Sequence, residues 1–193
     1  MRQGLKPKSL TTYIILALGV VSALAIIILG MQNLAFENKQ EQYLREEISI
    51  VMKQLMHVIN AMEQLTQNQT IQELLDLQTE VSRMKGILFK QQSNRLVNYG
   101  SLTNPFSSLE DFLRLAPLEC SSDGNAIGPY MAVVIQLKIH LLELNSHIER
   151  VYGSFVRGQM KSQDIQVNTL QDLNEVISLI NGRVAKTIHS RNE

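Results

Sequence analysis

Tryptophan is absent from this sequence, cysteine occurs once and proline four times, and only 5% of the residues are aromatic. A lone Cys120 excludes an intramolecular disulfide, so nothing covalent staples the fold. Its neighbours Glu119 and Asp123 push a thiol's pKa upward, the wrong direction for a nucleophile. With few aromatics, packing is left to Leu, Ile, Val and Met, a composition suited to helices more than to sheets. An excess of either charge is missing too: 18 bases face 18 acids. That balance excludes the basic footprint of a nucleic-acid binder. The motifs of common catalysts are also missing. There is no Gly-rich phosphate loop, no Gly-x-Ser-x-Gly, no Cys-x-x-Cys and no His-Glu-x-x-His. The expectation is a chain that is not an enzyme, with no catalytic residues, no cofactor and no metal.

What is present begins with residues 10–31, one unbroken apolar run. No charged residue lies between Lys8 and Glu37. At about 1.5 Å per residue the run is about 33 Å long, enough to cross a hydrocarbon core of about 30 Å. It exceeds the apolar core of a signal peptide, and its Ala23-Leu24-Ala25 is followed by more apolar residues rather than a mature start. A retained anchor is therefore expected. Arg2, Lys6 and Lys8 precede it without an acid, and basic flanks stay cytoplasmic. Residues 1–9 then form a short cytoplasmic tail, and the remainder lies outside the cytoplasm as a single-pass protein of the inner (plasma) membrane. Beyond the anchor lie 15 bases and all 18 acids, a net −3. Gly19 and Ala23 have small-x-x-x-small spacing, but such residues are ordinary in membrane helices.

Heptad-like seams follow. Residues 44, 48, 51, 55, 58, 62 and 65 step by four and three, as do 74, 77, 81, 84 and 88. Between them Thr66-Gln-Asn-Gln-Thr70 is polar. Leu65 and Leu74 are nine residues apart, half a turn out of phase. Thr70 and Glu73 have the spacing of a capping box, so a break at 66–70 is expected within paired helices, or a stalk, over 37–94. Asn68-Gln69-Thr70 also matches a glycosylation sequon. Residues 95–128, with Asn104-Pro105, Ala116-Pro117 and Ser121-Ser-Asp-Gly-Asn125, read as a long connection with one short helix near 108–115. Pro129 opens a helical hairpin over 129–190, with seams at 134, 137, 141, 144, 148, 151 and 155 and at 170, 173, 177, 180 and 184.

The predicted fold class is all-α: an N-terminal single transmembrane helix followed by an extracytoplasmic antiparallel helical bundle of four helices with a long middle crossover. The alternative is a long stalk helix with a C-terminal helical hairpin. Of candidate sites, His140, Glu143 and His147 share one helix face. The histidines are about 10 Å apart along the axis, too far for one ion, so a metal would also need Asp172 or Glu175. Solvated ion pairs beside a seam are the better reading. Met52, Met56, Met62 and Met84 read as core filler, and Asp123-Gly-Asn125 as a turn rather than a calcium loop.

The layout resembles the extracytoplasmic helical-bundle sensors of bacterial chemoreceptors, in architecture alone and without a shared motif. It departs from them where the chain ends at Glu193 without a second span. The resemblance implies ligand sensing through a partner subunit. The expectation drawn from the seams, the anchor and the empty motif search is instead a structural or assembly subunit of a cell-envelope complex. It would be membrane-inserted, bind copies of itself or other membrane proteins, and bind no nucleic acid, with a small-molecule ligand left open.

Overall fold

The computed structural model describes residues 10–91, 99–122 and 128–189. The tail 1–9, the turn Asp123-Gly124-Asn125 and the side chain of Cys120 lie outside the described residues. The described chain is all-helical: α1 (Leu10–Asn68), α2 (Ile71–Lys90), α3 (Tyr99–Ser122), α4 (Gly128–Val156) and α5 (Val167–His189), with a 3-10 turn at Ser162–Asp164. No strand occurs among the described residues.

Contacts divide the chain into Met1–Tyr43 and Leu44–Glu193. In the first unit, the described part of α1 contains a stretch of mean hydropathy 1.9, long and apolar enough to cross a membrane, with none of it buried.

The second unit has one apolar core, to which all five helices contribute. From α1 it takes Ile48, Val51, Leu55, Val58, Met62 and Leu65, and from α2 Leu74, Leu77, Val81, Met84 and Leu88. Both sets repeat at helical spacing, which is why each helix hides one stripe and leaves the other faces polar. Their half-turn phase difference is absorbed between the helices. Gln69 takes φ 53°, the left-handed region. Thr70 is extended, and its hydroxyl accepts the Glu73 N–H at 3.2 Å, an N-cap that starts α2 afresh.

Polar contacts order the helices around that core. Gln54 of α1 donates to the Glu80 carbonyl (3.1 Å) and carboxylate (2.7 Å) of α2. Ser82 and Lys85 of α2 donate to Glu110 of α3. These two bonds, Lys85 first, hold the Glu110 carboxyl below its ordinary pKa. Asn181 of α5 donates to the Ser101 carbonyl of α3 at 2.9 Å. Arg183 of α5 pairs with Glu143 of α4 at 2.7 Å. Lys138 of α4 lies 3.9 Å from Glu63 of α1, closing the circuit. Residues 44–68 thus contribute buried side chains to the core of the second unit.

Two expectations need correction. The connection over 95–128, with its short helix at 108–115, is instead largely helix: α3 has 24 residues. Among the described residues, the four helices expected beyond the anchor are accordingly five helical segments. Leu102, Phe106, Leu109, Phe112 and Leu113 of α3 are buried, and Phe112 packs on Tyr130 of α4 with centroids 5.5 Å apart. Pro105 and Pro117 both lie inside α3. Proline has no N–H to give to the carbonyl four residues back. For Pro105 that carbonyl is Ser101, the one to which Asn181 donates. A side chain from α5 thereby replaces the donor that proline removes.

Helix α4 ends at a left-handed glycine. Gly158 has φ 74°. Its N–H reaches the Phe155 carbonyl at 3.0 Å, and the Gln159 N–H reaches Ser154 at 2.9 Å, the paired bonds of a Schellman cap. Arg45 of α1 braces this end. Its guanidinium lies 5.3 Å from the Phe155 ring centroid and donates to the Met160 carbonyl at 3.2 Å.

Candidate functional site

The polar residues anticipated on α4, His140, Glu143 and His147, are all half-buried. Glu143 is engaged by Arg183 across the α4–α5 contact. His140 is half-buried beside that pair, while Asp172 and Glu175 are exposed. Among the described residues, no group of three or more His, Cys, Asp or Glu is placed to hold a metal ion.

His140 remains of interest as a titrating group. Burial disfavours its imidazolium, the Arg183 charge disfavours it further, and Glu143 offsets this in part, so its pKa is lowered. Its Nδ1 is enclosed without a hydrogen-bond partner. The unfolded chain therefore takes up this proton more readily than the folded one. The His140 contribution to stability is whole above the unfolded pKa of about 6.5 and is lost as pH falls through the lower folded value. Thermal melts at pH 7.5 and 5.5 are expected to show a lower melting temperature at pH 5.5, with a smaller drop in His140→Gln. Equal drops in the two proteins would contradict this assignment.

The methionines divide. Met62 and Met84 are core, as their spacing predicts. Met52 is half-buried against that core, and Met56 is exposed. They line an open groove of about 490 Å³ between α1 and α4, with Lys53, His57, Asn60, Asn145 and Glu149. Two thioethers beside amides and opposite charges make an amphipathic, adaptable surface. Nothing in it sets a nucleophile against a base.

The most distinctive feature is on the outer face of α4. Ile135, Ile139 and Leu142 are 43%, 49% and 43% exposed. They lie opposite the core stripe of Val134, Leu137, Leu141 and Leu144, so this helix is apolar on two sides. A helix apolar all round is normally buried on both. Sequence reasoning found only the inner seam, although the outer one was present as the same four-and-three step displaced by two residues: 132, 135, 139 and 142 against 134, 137, 141 and 144. On α5, Leu179 is 60% exposed.

Set against known protein families, curated proteins and solved structures, the chain matches none of them.

Proposed function

We propose that this chain is a single-pass subunit of the inner (plasma) membrane that serves a cell-envelope assembly by binding other proteins. Its α1 would anchor it, with the short tail cytoplasmic and the helices beyond residue 37 forming an extracytoplasmic bundle. The observation that carries the reading is unpartnered apolar surface of two kinds. Along α1, Val20, Leu24, Ile27 and their neighbours are more than half exposed, up to 70% for Ile26. Leaving a Val, Leu or Ile side chain in water rather than burying it forfeits about 1.5–3 kcal/mol each. A bilayer removes that penalty for the whole run at once. Arg2, Lys6 and Lys8 favour a cytoplasmic tail.

The second kind is the outer stripe of α4, far along the chain from the anchor. Contiguous exposed apolar residues beside charged ones mark protein-binding surfaces. Of the charged residues beside the stripe, Lys138 lies 3.9 Å from Glu63 and Glu143 pairs with Arg183.

The test is the mass of the intact chain, extracted from native membranes in mild detergent and measured by light scattering. The expected result is a protein mass above the 21.8 kDa of one chain. A strict monomer at every concentration and in several detergents would contradict the assembly role.

A further inference from the structure

Taken in heptad terms, the outer stripe of α4 is a second seam. Ile135 and Leu142 take d positions and Ile139 the a position between them, on the side away from the core. Ala132 and Ser146 occupy the flanking a positions, and both are small enough to let another helix approach closely. At the next d position Glu149 ends the seam.

The charges beside the stripe say what covers it. Lys138, just before Ile139, takes a g position, and Glu143, just after Leu142, takes an e position, so they flank the stripe on opposite sides. In a parallel, in-register pair of helices, each g residue faces the e residue five positions further along its partner. Lys138 of one copy would meet Glu143 of the other, twice by symmetry. The remaining g–e pairs, Met131 with Gln136 and Asn145 with Arg150, bring no like charges together. An antiparallel pair would set each flank against itself and lose both attractions. Within one chain Lys138 already lies 3.9 Å from Glu63, and Glu143 is 2.7 Å from Arg183. The intersubunit contact would join these into a run of alternating sign, Glu63–Lys138 to Glu143–Arg183.

We infer that α4 is a homodimerisation helix, its outer stripe covered by the same stripe of a second copy of this chain, parallel and in register. This rests on the anchored reading in one respect. A seam of two heptads binds weakly between free molecules. Two copies held in one bilayer meet at a high effective concentration, which multiplies a weak contact without adding new ones.

The test uses the full chain in its membrane, in a Cys120→Ser background. Ile139→Cys places identical positions across the proposed axis, so mild oxidation is expected to yield a covalent dimer. Asp172→Cys, exposed on α5, should yield little. Lys138→Glu and Glu143→Lys should each lower the Ile139→Cys crosslinking about fivefold, since two attractions become repulsions. The double reversal should restore it. Inside one subunit the reversed charges still face Glu63 and Arg183 unfavourably, so restoration can come only from the pairing between subunits.

Absence of the Ile139→Cys dimer would overturn the inference, as would a preference for crosslinks between Ile139→Cys and Leu142→Cys chains, or a double reversal no better than the singles. Membrane retention is scored in the same samples by alkaline extraction. A larger complex that persists without these crosslinks sinks the α4 dimer and leaves the assembly role standing. A chain found in the soluble fraction sinks the anchor instead.

Discussion

Arginines placed at both Val20 and Leu24 are expected to move the protein from the membrane pellet to the soluble or aggregated fraction, whereas either one alone will leave most of it in the pellet. The magnitudes decide this. Residues 10–31 hold 12 Leu, Ile and Val side chains. At roughly −0.3 to −0.6 kcal/mol each for insertion, they favour the bilayer by about 4–7 kcal/mol. One arginine near the centre costs about 2.5–3.5 kcal/mol, and long side chains reach toward the interface to soften that. A single replacement therefore leaves a margin. Two together cost about 5–7 kcal/mol and forfeit two apolar contributions, which cancels the preference. Both sites are exposed in the isolated chain, so neither replacement disturbs a packed core. Alkaline extraction followed by immunoblotting reads the partition. Unchanged retention of the double variant would mean that something other than this helix holds the protein to the membrane.

A second large effect is expected where α3 meets α5. Asn181→Ala removes the donor to the Ser101 carbonyl. Leaving such a group unpaired costs about 1–3 kcal/mol. In a chain of this size that is a fall of roughly 2–12 °C in melting temperature. The loss is trimmed because the same change deletes the Asn181 Oδ1, which is itself enclosed without a partner. The coupling is therefore the sharper readout. Pro105→Ala restores the backbone N–H that reaches Ser101, so Asn181 becomes dispensable for that carbonyl. Asn181→Ala should then cost at least about 1 kcal/mol less in the Pro105→Ala background than in the natural chain. Strictly additive losses would show that Asn181 is not standing in for the missing donor.

The same pair explains where the sequence was legible and where it was not. Inner seams could be read because burial in a helix repeats every three or four residues, and Leu55, Leu77, Leu141 and Ile177 fall on that repeat and are buried. Thr70 could be read because an N-cap is a local matter, settled within three residues. Helix α3 could not. Its Leu102, Phe106, Leu109 and Leu113 have the right spacing, but Pro105 and Pro117 punctuate them, and a proline inside a helix ordinarily ends or kinks it. What tolerates Pro105 is the side chain of Asn181, 80 residues along the chain from the Ser101 carbonyl that it serves, and no local pattern announces it. The Arg45 brace at the end of α4 is of the same kind, with its partners 110 and 115 residues away. The partner of Glu143 was hidden for a related reason. Spacing put His140 and Glu143 on one face, but only the packing of α5 shows that Arg183 occupies that face.

The outer stripe of α4 was legible in principle. Ile135, Ile139 and Leu142 stand in the sequence at heptad spacing, yet amid the stronger inner seam they pass for general hydrophobicity. Only the exposure of each shows that one apolar face is spent on the fold and the other is not.

The most direct measurement is the fate of the intact chain in sealed vesicles whose outer surface corresponds to the outside of the cell. A tag is placed after Glu193, protease is added outside, and alkaline extraction is run in parallel. Retention in the bilayer by residues 10–31 with the helices beyond it predicts a full-length chain that resists extraction and loses its tag to the external protease. A shortened chain free in solution, or a tag that survives until the vesicles are opened, would contradict it.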